Sequence, residues 1–244
     1  MRRFYYPSIP DIGQNICLDI QSSHHLLRVV GISKEEEVEI FDGKGKASIA
    51  ILQDVQKKKA TLQITRSVET RSNTDVQYWL LVALVRPEPF GNLLRMATEI
   101  GVHHIVPFQS SRSLHRSEKS ERWENIVLSA VQQCGRYDIP KIYPLQSFSD
   151  ALDTIAHIDQ KWIFHPSDSE IQLDDNKERL DVASSIEQDQ KEVAIVIGPE
   201  GGFEQEEIQL ALKKKCMHKV LGRFILRTDT AVAVTMAHIK FGSV

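Results

Sequence analysis

The chain has 244 residues, of which 41% are hydrophobic and 26% are charged, and its formal net charge is −3. This composition is typical of a soluble globular protein and excludes a polycation that binds nucleic acid through its overall charge. Three widely spaced cysteines exclude a disulfide scaffold and fit a reducing compartment. The longest apolar run, 78–85, is short of the roughly 20 residues that span a bilayer, and the N-terminus lacks the apolar core of a signal peptide. We therefore expect a cytoplasmic protein without a membrane partner.

The charge is unevenly distributed along the chain. Residues 153–210 carry 4 Lys/Arg and 15 Asp/Glu, a net of −11, whereas residues 211–244 carry 7 and 1, a net of +6. The acidic excess is densest between Asp168 and Glu192, where weak periodicity predicts a solvated insertion. Without this insertion the chain is mildly basic, so a polyanionic partner is allowed.

Residues 1–70 have the pattern of a small, mostly antiparallel β-barrel. A short helix is predicted over 24–31, with Ser22 or Ser23 as its N-cap. The turn 42–45 predicts a hairpin because Gly43 and Gly45 can adopt positive φ. Strands are predicted at 15–20, 37–42, 48–55 and 60–68. The polar stretch 70–74 is then a plausible linker to a second domain over 75–244.

In the second domain, strands alternate with helices. Strands are predicted at 76–85, 103–108, 161–165, 193–198 and 218–222, with an extended stretch at 141–145. Helices are predicted at 89–101, 120–136, 147–157, 203–215 and 228–241. This alternation predicts an α/β domain with a parallel sheet and helices on both faces.

Most standard cofactor motifs are absent. No strand is followed by GxGxxG or GxxxxGK[ST], and neither HExxH nor GxSxG occurs. Two pairs of histidines are adjacent in the sequence, and adjacent side chains point apart on a helix or a strand. We therefore expect no metal site.

One strand-to-helix connection is unusually rich in glycine. The predicted strand 193–197 leads into Gly198, Pro199, Glu200, Gly201 and Gly202, followed by an acidic helix start. Three glycines and a proline make a tight turn that a flat ligand can approach closely. Because ligands of open α/β sheets bind at the carboxyl ends of strands, this loop predicts a binding site.

A second connection of this kind follows at 218–241. Gly222 ends the predicted strand, and a polar cluster of Arg227, Thr228, Asp229 and Thr230 precedes an alanine-rich helix. Thr228 or Asp229 could be the N-cap of that helix. A cap does not explain Arg227, whose charge is unfavourable at the positive end of a helix dipole unless an anion lies near.

These two connections, IGPEGGFEQEE and LGRFILRTDTA, resemble the paired C-terminal motifs of the ribosomal small-subunit methyltransferase E family, members of the SPOUT class. The resemblance extends to HHLLRVVG, IFDGKG, ATEIGVHHIVPFQSSRS and ERWENIVLSAVQQCGR, and so covers nearly the whole chain. The chain has Asp229 and Arg86 where the family usually has Glu and Lys.

The resemblance implies both a fold and a function. The fold would be a PUA-like β-barrel over 1–70 that holds RNA, followed by a SPOUT domain whose C-terminal chain forms a trefoil knot around S-adenosylmethionine. The protein would act as a homodimer. Its activity would be methylation of uridine N3 at position 1498 of 16S rRNA in the small ribosomal subunit.

The resemblance also suggests which residues form the site. Arg112, Arg136 and Arg227 would favour an anionic uracil, Glu200 or Asp229 would accept its proton, and Glu99 would orient an arginine. The residues implied in cofactor binding are Phe164, His165, Gly198, Glu200, Gly201, Gly202, Leu221, Gly222, Ile225 and Leu226. The candidates for RNA binding in the first domain are Arg2, Arg3, Arg28 and Lys44, since cations contact phosphates.

Two other classes of function stay open on the sequence alone. An RNA-binding module without activity would keep the basic barrel but would not need both glycine loops. An α/β enzyme with a nucleotide cofactor would normally carry a phosphate-binding glycine motif after its first strand. Binding measurements with S-adenosylmethionine, NAD and ATP distinguish the three.

Overall fold

The computed structural model describes residues 2–34, 36–70, 76–113, 120–165, 191–222 and 224–241. The chain divides into two compact units. The first comprises Met1–Asn73 together with Leu128–Ile139, and the second comprises Thr74–Val127 and Pro140–Val244. Most of the predicted acidic insertion and most of the predicted linker lie outside the described residues. The last residue of the predicted insertion, Glu192, is described and begins a strand.

The first unit is built on a five-stranded, barrel-like sheet in the order β1-β3-β4-β5-β2. Its strands are β1 (Arg3–Tyr5), β2 (Asn15–Cys17), β3 (Glu37–Phe41), β4 (Ala47–Gln56) and β5 (Lys59–Val68). The pair β1–β3 is parallel and the other pairs are antiparallel. The mostly antiparallel architecture predicted from the sequence is confirmed, although β1 was not predicted.

The first helix begins earlier than the sequence indicates. Helix α1 spans Ile20–His24, and the Asp19 carboxylate caps it by accepting a hydrogen bond from Ser22 N at 2.8 Å. The helix continues as a π-helical turn, His25–Val29. The predicted serine cap is therefore wrong, because the carboxylate one turn upstream takes the free N–H groups.

The hairpin at 42–45 forms as predicted. Gly43 and Gly45 have φ of +71° and +102°. The Asp42 side chain accepts hydrogen bonds from Lys44 N at 2.8 Å and Lys46 N at 2.9 Å. The turn also joins the later segment of this unit, since Ile139 N donates to Gly43 O at 3.0 Å and Gly45 N donates to Tyr137 O at 3.0 Å.

The second unit contains a parallel sheet in the order β12-β10-β11-β6-β7-β8, and β9 also pairs with β7. Its strands are β6 (Gln77–Ala83), β7 (His104–Gln109), β8 (Lys141–Ile142), β9 (Gln146–Ser147), β10 (Gln160–Phe164), β11 (Glu192–Ile197) and β12 (Met217–Lys219). The helices that follow these strands are α2 (Pro87–Ile100), α3 (Ser120–Cys134), α4 (Phe148–Thr154), α5 (Gln205–Lys213) and α6 (Thr228–Phe241). Residues of α3 from 128 onward belong to the first unit.

Both faces of the parallel sheet are buried. On β6, Trp79, Leu81 and Ala83 pack in one cluster with residues of α4 and α5. Leu80 and Val82, which point to the opposite face, are fully buried as well. The predicted α/β fold with a preceding β unit is thus confirmed, and the trefoil knot stays a prediction. Within the described residues, none of the helices is long and apolar enough to cross a membrane.

Candidate functional site

The carboxyl ends of three adjacent strands define the site. In the sheet, β10 lies between β12 and β11, and Phe164 at its end is in register with Ile197 of β11 and Lys219 of β12. The residues that directly follow these strands are therefore neighbours: His165 after β10, Gly198 after β11 and Val220 after β12. Residues 198–202 are called here the glycine loop, and the described residues 220–222 and 224–227 are called here the arginine loop.

These segments enclose a cleft with about 570 Å³ of empty space, including the part open to solvent. All the residues predicted to bind a cofactor, except Gly201, line it. Pro199 and Phe224 of the predicted loops line it too, together with Ile197, Phe203, Val220, Thr228 and Ala231, which were not predicted to bind the cofactor.

Glycines are needed in the glycine loop for two different reasons. A Cβ on Gly198 would lie 2.9 Å from the ring of Phe203, a buried residue that also packs against Phe148. Gly202 has φ of +72°, and a Cβ there would lie 3.4 Å from Cε1 of His165. Gly198 therefore permits close packing against Phe203, and Gly202 permits the left-handed turn.

Thr228, the first residue of α6, is hydrogen-bonded to the glycine loop. The Thr228 hydroxyl donates to the Gly198 carbonyl at 3.1 Å, and Thr228 is buried. The first backbone hydrogen bond of α6 runs from Ala231 N to the Arg227 carbonyl at 2.8 Å. Neither Thr228 nor Asp229 is therefore the N-cap predicted for this helix. Thr228 instead fixes the helix start against the end of β11.

Arg227 and Asp229 are the sequence neighbours of Thr228. Arg227 is exposed, and among the described residues it forms no ion pair. Asp229 is half-buried, and its Oδ1 accepts from Thr230 N at 2.8 Å and from the Thr230 hydroxyl at 3.4 Å. An exposed cation and a carboxylate therefore lie next to residues that line the cleft.

Arg112 is held by the chain around the glycine loop. Its Nε and Nη2 donate to the two carboxylate oxygens of Glu204 at 2.6 and 3.1 Å. Its Nη1 donates to the Gly201 carbonyl at 2.9 Å. The hydrogen bond from Arg112 holds the pKa of the Glu204 carboxyl below its ordinary value.

Glu207 is a buried carboxylate that the sequence analysis did not single out. It lies in the first turn of α5 and is only 8% exposed. Its oxygens accept from the Ser110 hydroxyl at 3.1 Å, from Ser111 N at 3.0 Å and from Glu204 N at 2.9 Å. The available sequence signal was an acidic residue three positions after the residue that starts a helix.

Two predicted catalytic residues, Glu99 and Arg136, are not among the residues that line the cleft. Glu99, predicted to orient an arginine, is exposed on α2 and forms no ion pair among the described residues. Arg136 is buried in the first unit, where its guanidinium pairs with Asp138. Their catalytic roles stay predictions.

The predicted RNA-binding residues differ in exposure. Arg2, Arg28 and Lys44 are exposed. The Arg3 side chain is only 10% exposed, and its Nε donates to Glu39 at 2.5 Å. It also donates to the Val131 and Arg136 carbonyls at 3.1 and 2.8 Å. Arg3 therefore holds the segment 128–139 to β1 and β3, which competes with the RNA contact predicted for it.

Metal and thiol chemistry find little support in the described part of the chain. No group of three or more His, Cys, Asp or Glu side chains there could hold a metal ion. Burial raises the pKa of the Cys216 thiol to about 11. A thiolate nucleophile at this position is therefore unfavourable near neutral pH.

Known proteins resemble this chain over nearly its full length. The profile of the RNA methyltransferase domain matches residues 72–240, and that of the RNA methyltransferase PUA domain matches residues 18–65. Ribosomal RNA small subunit methyltransferase E of Buchnera aphidicola is 29% identical over 98% of this chain and 94% of its own length.

Two solved structures are similar in fold and in sequence. Ribosomal RNA small subunit methyltransferase E from Neisseria gonorrhoeae, bound to S-adenosylmethionine, has a TM-score of 0.84 and 29% identity, covering 97% of this chain and 95% of its own. A Legionella pneumophila protein, also with bound S-adenosylmethionine, has a TM-score of 0.83 and 26% identity, covering 98% of this chain and 97% of its own.

Proposed function

This chain belongs to the RNA methyltransferase family, and we propose that it transfers a methyl group from S-adenosylmethionine to N3 of a uridine in 16S rRNA. The position in the resembling family is 1498, within the small ribosomal subunit. The observation that carries the proposal is the cleft at the ends of β10, β11 and β12. It unites the two sequence motifs that resemble this family, and relatives of the same fold bind S-adenosylmethionine.

The cleft suits the proposed cofactor in its chemistry. Apolar side chains such as Leu221, Ile225 and Phe203 can hold a flat adenine, while the loop backbone offers N–H and C=O groups. Gly198 and Gly202 shape the loop, because a Cβ at Gly198 would collide with the Phe203 ring and Gly202 has a positive φ. We assign the cofactor to the residues predicted from the sequence, with Thr228 holding the two loops together.

When bound, S-adenosylmethionine supplies a methyl group on a sulfonium, which is a reactive electrophile. Uridine N3 carries a proton and is a weak nucleophile until that proton leaves. The protein therefore has to orient the base, favour its anion and accept the proton. Arg227, exposed and without an ion pair among the described residues, is suited to the anion, and Asp229 or Glu200 is suited to the proton.

We further propose that the protein is a homodimer, because α6 exposes apolar side chains. Val234 is 38% exposed and Phe241 is 56% exposed. Thr230, Val234, Ala237 and Phe241 recur at helical spacing, so they share one face of α6. Burial of this face in a second copy would remove it from water.

The proposed assignment gives RNA binding to the barrel-like unit and methyl transfer to the second unit. These units correspond to the predicted domains over 1–70 and 75–244, except that residues 128–139 belong to the first unit. The support for RNA binding in the first unit is the profile match to a PUA domain and the exposed Arg2, Arg28 and Lys44. We place the proposed trefoil knot at the two loops that Thr228 joins. A cytoplasmic location follows from a ribosomal substrate.

The test combines calorimetry with methylation of purified ribosomal subunits. S-adenosylmethionine should bind, while NAD and ATP should not, which would exclude the nucleotide-cofactor enzyme. Small subunits that lack the modification should gain a block to reverse transcription at the target uridine, since an N3 methyl prevents base pairing. Large subunits are the control. Binding of RNA without S-adenosylmethionine binding would indicate a module without activity and overturn the proposal.

A further inference from the structure

The turn after β7 is hydrogen-bonded to the turn after β11 and to the start of α5. These contacts are called here the clamp. Residues 110–113, called here the serine-arginine loop, follow β7, whereas the glycine loop follows β11. In the sheet these two strands are separated by β6. The serine-arginine loop is internally braced, because Ser113 N donates to Ser110 O at 3.0 Å and Ser110 N donates to the Ser113 hydroxyl at 3.2 Å.

The buried part of the clamp is centred on Glu207. Ser110 is 2% exposed and Glu207 is 8% exposed. A carboxylate removed from water is costly unless hydrogen bonds replace the water. Glu207 has such replacements in the Ser110 hydroxyl and the backbone N–H groups of Ser111 and Glu204. These bonds fix the start of α5 to the serine-arginine loop.

The exposed part of the clamp is formed by Arg112 and Glu204. The Arg112 and Glu204 side chains are 48% and 39% exposed, and they meet in a bidentate pair. The third Arg112 nitrogen donates to the carbonyl of Gly201. Gly201 stands between Glu200 and Gly202, which both line the cleft. The guanidinium thus acts on the loop backbone at the point where the loop turns past the cleft.

We propose that Arg112, with Glu204 and Glu207, is a positioning residue that fixes the glycine loop in its cofactor-binding conformation. This inference rests on the proposed function, and it reassigns Arg112 from the predicted contact with uridine. Two consecutive glycines have much conformational freedom to lose when a ligand binds. A clamp that orders them beforehand lowers this cost and raises affinity for the cofactor.

A double-mutant cycle separates positioning from direct contact. The variants are Arg112→Ala, Glu204→Ala and both together, measured by calorimetry with S-adenosylmethionine and by single-turnover methylation at saturating cofactor. We expect cofactor affinity to fall about three- to tenfold in each single variant, as for loss of one charged pair with an additional hydrogen bond. The double variant should be no worse than Arg112→Ala, because both changes remove the same clamp. The saturated rate should stay within about twofold of the parent's.

The matched control is Lys214→Ala, which breaks the pair of Lys214 with Asp153 beyond the other end of α5. It should leave cofactor affinity unchanged. Amide hydrogen exchange without cofactor gives a separate readout. Exchange over 198–204 should accelerate in Arg112→Ala and Glu204→Ala but not in Lys214→Ala. Glu207→Gln should weaken cofactor binding more than Arg112→Ala does. If the Glu207→Gln protein does not fold, the variants of the exposed pair, Arg112→Ala and Glu204→Ala, still test the proposal.

The outcomes distinguish the clamp from the proposed function. A parent protein that does not bind S-adenosylmethionine overturns both. A parent that binds it, with variants of unchanged affinity and unchanged loop exchange, overturns the clamp alone. If Glu204→Ala behaves as the parent while Arg112→Ala loses about a hundredfold in saturated rate, Arg112 contacts the reacting base instead.

Discussion

The surroundings of Arg227 favour the binding of an anionic ligand. It lies between Leu226 and Thr228, which line the cleft, and at the N-terminal end of α6, where a positive charge is unfavourable. Its side chain is exposed and forms no ion pair within the described ranges. Removal of its charge should therefore affect catalysis more than the free energy of unfolding.

We expect Arg227→Ala to lower the single-turnover methylation rate about a hundredfold, or about 3 kcal/mol, while the melting temperature stays nearly the same. The physical reason is the loss of one preorganised charge where the uracil anion develops. Arg227→Lys is the control that keeps the charge and should retain more of the rate. A normal rate in Arg227→Ala, or a large drop in melting temperature, would assign Arg227 to the fold.

The sequence predicted which loops form the site better than it predicted the partners of each arginine. Nine of the ten residues predicted to bind the cofactor line the cleft. Arg112, however, pairs with Glu204, 92 positions away, and Arg3 donates to a carbonyl 133 positions away. Such partners depend on tertiary folding, because a long guanidinium reaches any carboxylate or carbonyl that the fold brings near it.

At the scale of elements, long periodic segments were predicted well, whereas two short strands, β1 and β9, were not predicted. The strands of the parallel sheet and the helices between them agree with the apolar patterns, because burial enforces those patterns. The two- and three-residue strands β1 and β9 carry no pattern of their own. The turn between β4 and β5 places Lys57 and Lys58 at φ of 48° and 68°, although neither is the glycine or asparagine expected there.

Helix α6 exposes two large apolar side chains, Val234 and Phe241. We expect Val234→Glu to weaken dimerisation more than about tenfold, because a charge would have to lose its water in the interface. Sedimentation equilibrium over a range of concentrations measures this. The control is Leu212→Glu on α5, a residue that is 40% exposed compared with 38% for Val234. A Val234→Glu protein that dimerises as the parent does would place the interface elsewhere.

At the scale of the whole molecule, the division into units is not a single cut in the sequence. Residues 128–139 belong to the first unit, although they follow residues of the second. Arg3 and the 42–45 turn provide their hydrogen-bond partners. A fragment that starts at residue 74 would keep this segment and lose those partners. Deletion of the barrel-like unit would therefore damage the fold as well as any RNA contact.

RNA binding is better tested by removing charge from the intact protein. We expect Arg2→Ala, Arg28→Ala and Lys44→Ala, combined in one variant, to weaken RNA binding because exposed cations release counterions from phosphates. The slope of log affinity against log salt should become shallower by about 0.7–0.9 for each phosphate that the variant no longer neutralises.

The control for this variant is binding of S-adenosylmethionine, which should be unchanged because none of the three residues lines the cleft. Arg3 is kept, since its guanidinium joins β1 to residues 128–139 and its removal would destabilise the first unit. Filter binding of 16S rRNA fragments at a series of salt concentrations measures the slope. A variant with the parent's slope and affinity would show that these three side chains do not contact phosphates. The RNA would then bind through other residues.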